Sequence, residues 1–145
     1  MELNDNRNEI NLEWVPLERI GPFIFGSMID KYCEKYELNL SPEEYNEKVG
    51  WEVYKGGDDI RIYLEMGRIE SVSCSATFNY QGINIIGKPV DKAIDLINRK
   101  PDNIEIEELF EGPQEVYNFD PVGLQVWVKN GLVVTVICSG PYGED

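Results

Sequence analysis

Histidine is absent from the chain, which removes the commonest general base near neutral pH and the commonest metal ligand. Basic residues are scarce: 13 Lys and Arg stand against 27 Asp and Glu, for a formal charge of −14. Such a field repels phosphate backbones and anionic bilayers, so neither nucleic acid nor membrane is expected as a partner. It favours encounter with a basic protein. No apolar run approaches the 18 or so residues of a membrane-spanning helix. Met1–Arg19 lacks the apolar centre of a secretory signal, and a cytoplasmic protein is expected. The three cysteines, Cys33, Cys74 and Cys138, form no Cys-x-x-Cys pair. An odd, scattered count argues against a disulfide framework, so they read as reduced packing residues.

What is present is a repeat. Ile60–Ser75 (IRIYLEMGRIESVSCS) aligns without gaps on Leu124–Ser139 (LQVWVKNGLVVTVICS), setting Gly67 on Gly131, Val72 on Val136 and Cys74 on Cys138. Phe23–Tyr36 aligns on Asn84–Ile97, with Ile24, Gly26, Asp30 and Lys31 meeting Ile85, Gly87, Asp91 and Lys92. Val53-Tyr54 and Val116-Tyr117 form a third match. Each unit, about 23–75 and 84–139, is read as a short apolar run ending in Gly26 or Gly87, a helix, and a β-hairpin. Val90, Ala93, Ile94 and Ile97 recur at helical spacing behind Pro89, and Met28, Ile29, Tyr32, Cys33 and Tyr36 give the matching stripe. Ser41, Pro42 and Glu44 open a further expected helix over 41–49. Asn130-Gly131 is a strong two-residue hairpin turn, and Met66-Gly67 a weaker one at the same place.

Simple alternation from these turns puts Ile60, Ile62, Leu64 and Ile69 on one face, matched by Leu124, Val126, Val128, Val133 and Ile137. Gln125, Trp127, Leu132, Val134 and Val136 then fall on the other face, which is too apolar to stay wet. The segment with Trp14, Val15 and Leu17, or a partner protein, is expected to cover it. The expected fold is therefore α+β. It is a single domain over 20–140, with two related helix-plus-β-hairpin units forming an antiparallel sheet and helices packed on one face. A polar, partly mobile segment (1–19) precedes it and a mobile tail (141–145) follows.

The search for chemistry returns little. Cys74 and Cys138 occupy one slot in two repeats, which suits packing rather than nucleophilic catalysis. Asp58 and Asp59 follow Gly56-Gly57 without the spacing of a calcium loop. Gly26 and Gly87 precede helices, but no Lys-Ser/Thr follows as in a phosphate-binding loop. No catalytic residue, metal or cofactor is expected. The acidic block is the exception. From Pro101 to Val128 there is no Lys or Arg, while Asp102, Glu105, Glu107, Glu108, Glu111, Glu115 and Asp120 supply seven negative charges around Leu109 and Phe110. Carboxylates for steering around an apolar anchor are what binding to a basic surface needs. The candidate partner-binding residues are Glu105, Glu107, Glu108, Phe110, Glu111 and Glu115, with Asp58 and Asp59 as a second site.

The run Ile20-Gly21-Pro22-Phe23-Ile24-Phe25-Gly26, a helix, and then strands with Gly123-Leu124-Gln125-Val126-Trp127 resemble small bacterial proteins encoded beside polymorphic toxins, the immunity proteins of contact-dependent growth inhibition. That pattern usually continues Gly-Met-Ser, where this chain has Gly26-Ser27-Met28. The resemblance implies a cytosolic, non-catalytic protein that binds one cognate toxin domain, often a nuclease, and blocks it. A ligand-binding or scaffold module using the groove between the repeats is the alternative, and an enzyme working with carboxylates alone a third.

Overall fold

Alternating apolar residues do build hairpins at both expected places, but they belong to a larger sheet. A computed structural model describes residues 11–42, 51–57 and 59–141. The chain runs β1 (Trp14–Val15), β2 (Arg19–Ile20), β3 (Phe23–Ile24), α1 (Asp30–Tyr36), β4 (Asn39–Leu40), β5 (Trp51–Gly56), β6 (Ile60–Glu65) and β7 (Arg68–Cys74). It continues through β8 (Asn79–Tyr80), β9 (Ile83–Asn84), α2 (Val90–Ile97), β10 (Asn103–Leu109), β11 (Gly112–Phe119), a 3-10 turn at Asp120–Val122, β12 (Leu124–Lys129) and β13 (Leu132–Ser139). One antiparallel sheet has the order β10-β11-β12-β13-β7-β6-β5-β4, with small sheets β1-β2-β3 and β8-β9 beside it.

The expectation of helix-plus-β-hairpin units with helices packed on one face is therefore corrected. The chain is mostly β, with eight strands in the main sheet and two helices among the described residues. Each unit adds two outer strands to its hairpin, giving a four-stranded meander. Helices of seven and eight residues are too short to roof such a sheet. Leu12, Trp14, Ile20 and Phe23 from the N-terminal segment, and Phe78 and Ile85 around β8-β9, are buried with the sheet residues in the same core. The helix expected over 41–49 lies outside the described residues apart from Ser41 and Pro42.

The two units meet through their last strands. Val136 lies opposite Cys74 and Cys138 opposite Val72, with Ile137 facing Ser73 at the centre. Exchanging equivalent positions of the repeats turns this register into itself, so β7 and β13 flank a pseudo-two-fold axis. Side chains obey the same relation. The Ser71 and Ser139 hydroxyls bond at 2.8 Å, and Ser75 and Thr135 bond at 3.1 Å. The loops leading into the helices repeat as well. Gly26 N–H donates to Ile69 O and Gly87 N–H to Val133 O, both at 2.8 Å.

One bulge per hairpin overturns the simple alternation. The register shifts between Tyr63 and Leu64, and at the equivalent step between Trp127 and Val128. Glu70 and Val134 are the extra residues, so every later side chain changes face. Val136, placed on the outer face by alternation, is fully buried in the core. Ile137, placed in the core, points outward beside Gln125 and Ser73. The second apolar face thus shrinks, and Trp14 packs against Phe78 and Tyr80 in the core (ring centroids 5.5 and 5.0 Å) rather than serving as its cover. Glu65 and Arg68 lie opposite each other in register, and the Arg68 guanidinium donates to Gly26 O at 2.9 Å.

The hairpin turns differ in fitness for the same geometry. Asn130-Gly131 and Met66-Gly67 have φ of 55° and 82°, and 55° and 79°. The left-handed region costs an ordinary side chain roughly 1–2 kcal/mol, and asparagine much less. Met66 is also 89% exposed, so it has little packing to lose. Met66→Asn is expected to stabilise the fold by about 1 kcal/mol, read as a higher midpoint in thermal or urea unfolding. An unchanged midpoint would refute the strain argument.

Candidate functional site

The acidic block folds as an edge. Gly112 at φ 123° reverses the chain after Phe110-Glu111, and β10 pairs along its full length with β11, from Asn103↔Asn118 to Leu109↔Gly112, without a bulge. β10 ends the sheet, and Asn103–Glu108 are all exposed. Glu105 and Glu107 point to the outer face with Asn103; Ile104, Ile106 and Glu108 point to the core side. Phe110 stands free at the turn beside Glu111. Glu115 lies on β11 opposite Ile106, between it and Val128. Six of the sequence-derived partner residues thus gather around one strand and its turn.

Asp59 does not join them. It precedes β6, the fifth strand along from β10, which at about 4.8 Å per strand is roughly 24 Å away. Asp58 lies outside the described residues.

The outer face carries a polar chain that sequence reading did not find. Trp127 Nε1–H donates to Gln125 Oε1 (3.4 Å), and Gln125 Nε2–H to Asn118 Oδ1 (3.0 Å). Buried Asn118 donates through Nδ2 to Asn103 Oδ1 (2.7 Å) and Glu105 Oε1 (3.3 Å). These bonds orient the Glu105 carboxylate from the two strands behind it, β11 and β12. On the core side, burial first and then the charges of Glu115 and Asp91 push the Tyr117 phenol up, with a hydrogen bond to Glu115 adding to the shift. Lys129 brings a cation to the turn, its Nζ–H donating to Glu111 O at 3.5 Å.

A second feature sits at the junction of the repeats. A cleft of about 370 Å³ opens on the outer face, lined in part by Tyr63, Glu70, Ser71, Gln125, Ile137 and Ser139. Desolvation, and then Glu65, raise the Glu70 carboxyl. No group of His, Cys, Asp or Glu among the described residues could hold a metal ion.

No family model, curated protein or solved structure matches the chain. No helix among the described residues is long and apolar enough to cross a membrane.

The thiols carry no visible chemistry. Burial pushes Cys74 up to about 12, and burial followed by the neighbouring Cys74 holds Cys138 well above the usual thiol range. Cys33, half-buried, is raised by burial and then by Asp30. Iodoacetamide at pH 8 is expected to label Cys33 slowly and the other two only after denaturation, counted by intact mass. Rapid native labelling at Cys74 or Cys138 would contradict their packing role.

Proposed function

We propose that the chain is an immunity protein: a cytoplasmic, non-catalytic inhibitor that binds a basic toxin domain, such as a nuclease, and covers its active site. The observation that carries the reading is β10, an exposed edge strand with Glu105 and Glu107 on its outer face, Ile104, Ile106 and Glu108 on its core side, Glu115 beside Ile106 on β11, and Phe110 and Glu111 at the turn. Exposed apolar side chains on an edge of one charge sign suit tight, fast binding to an opposite charge. Scattered charge kept only for solubility would not need three large apolar side chains exposed together.

The test is co-purification with the product of the gene immediately upstream, at low and at moderate salt. The expected result is a one-to-one complex that removes that product's toxicity and weakens as salt shortens the reach of exposed charges. Absence of a complex at both salts would overturn the reading.

The cleft at the repeat junction favours a second reading, a small-molecule binding module. Its volume lies at the low end of ligand sites, and its lining is mixed polar and apolar. Native mass spectrometry after gentle purification would reveal a retained metabolite under that reading and the bare chain under the first.

A further inference from the structure

The proposed site is a strand edge rather than a flat patch, and that fixes how a partner can attach. Natural sheets blunt their edges with short strands, charged side chains, prolines or bulges. The far edge of this sheet follows the rule, since β4 has two residues. β10 has seven, with no proline, no lysine and no bulge against β11. Its second row of backbone N–H and C=O groups faces no other strand among the described residues.

We infer that β10 accepts an extended segment of the basic partner as a ninth strand, with lysine or arginine on one face alternating with apolar residues on the other. The inference rests on the partner being basic, as proposed above. Added beside β10, such a strand sets its cations against Glu105 and Glu107 and its apolar residues against Ile104 and Ile106, which are 50% and 64% exposed. Those isoleucines share the core-side face with Tyr117 and Val128, so the added strand extends a face that is already apolar further in. Phe110, fully exposed at the turn, closes the end of the row.

Charge selects the occupant. A second copy of the chain paired antiparallel about Ile106 would bring Glu105 against the other copy's Glu107 twice, a like-charge register that costs stability. The carboxylates therefore guard the edge against self-association and leave it open to a strand of opposite sign.

The probe is acetyl-Lys-Val-Lys-Val-Lys-Val-Lys-amide, titrated into the full chain at low salt by calorimetry. Two N-methylated forms accompany it, one methylated at the lysines and one at the valines. A strand added to one edge presents alternate N–H groups to it. Strand addition thus predicts that one methylated form binds like the parent and the other at least ~tenfold more weakly, through loss of about three hydrogen bonds. The parent peptide should protect amides of 103–109 from hydrogen exchange. Glu105→Lys with Glu107→Lys should lose its binding, while a control with the same charge change, Glu18→Lys with Glu34→Lys, should retain it. Equal binding of both methylated forms, equal loss in both, no binding of the parent, or protection away from β10 would each overturn the inference. None of these outcomes decides whether the chain forms a complex with its upstream partner, which the co-purification tests separately.

Discussion

Replacing Glu105 and Glu107 with lysine is expected to slow association with the basic partner at least ~tenfold at low salt while leaving the fold intact. Both side chains are on an exposed edge and point to the outer face, so neither supports the core. The change moves the local charge by four units within a stretch that otherwise has no cation from Pro101 to Val128. Loss of steering acts on the association rate and fades as salt rises, whereas loss of a desolvated pair acts on dissociation at any salt. Stopped-flow or surface plasmon resonance across a salt series separates the two. Glu105, oriented by Asn118, is expected to contribute to dissociation as well as to association. Identical rates for the wild type and the double variant would remove this edge from the interface.

Phe78→Ala is expected to cost about 3–5 kcal/mol, against Phe110→Ala near zero. Phe78 is fully buried in the core, 5.5 Å between ring centroids from Trp14. Its backbone also knits three segments. Its N–H donates to Asn84 Oδ1 (2.9 Å), its carbonyl accepts from Ile85 N–H (3.0 Å), and the next residue donates to Leu12 O (2.8 Å). A cavity there loosens β1, β8 and β9 together. Since a domain of this size has about 5–15 kcal/mol in hand, the variant should unfold at far lower urea or fail to fold. Phe110, exposed at the turn, removes no packing when truncated and should affect partner binding alone. Equal midpoints for Phe78→Ala and wild type in urea would mean that the N-terminal strands contribute little to the core.

The contrast between those two phenylalanines also shows what could be read in advance. Phe110 lies among Glu107, Glu108 and Glu111, which marked it as a surface candidate, whereas nothing in Ala76-Thr77 or Asn79 marks Phe78 as a core residue, and only tertiary packing reveals it. Features with a local cause were legible. Asn130-Gly131 dictates a hairpin by its own φ preferences, and Gly26 and Gly87 recur because both loops adopt φ 89° and bond to the returning hairpin. The bulges were not legible, because a single extra residue such as Glu70 or Val134 has no compositional mark and yet inverts all that follows. β10 was missed as a strand because Asn and Glu are poor strand formers, and the pairing that holds it comes from β11. The match of Val53-Tyr54 to Val116-Tyr117 was the available clue to the outer strands, since both pairs lie inside them. The acidic block was therefore visible as charge but not as a surface, and the distance of Asp59, offered as a second site, from that block follows only from the strand order.

The pseudo-two-fold joint has a consequence for synthesis. Each meander closes from neighbours in sequence and can form soon after it leaves the ribosome. The seam between β7 and β13 joins Ser71 to Ser139, 68 residues further on. At about 5–20 residues per second, several seconds pass in which β7 is made and its future partner is not. During that interval the strand destined for the middle of the sheet is a naked edge, rich in serine on one side and apolar on the other. Two nascent chains on one message could pair there in place of their own second halves, because the symmetry makes each half a fair substitute for the other. Domain-swapped dimers are therefore the misassembly this architecture invites. Slowing translation between the halves should raise their yield.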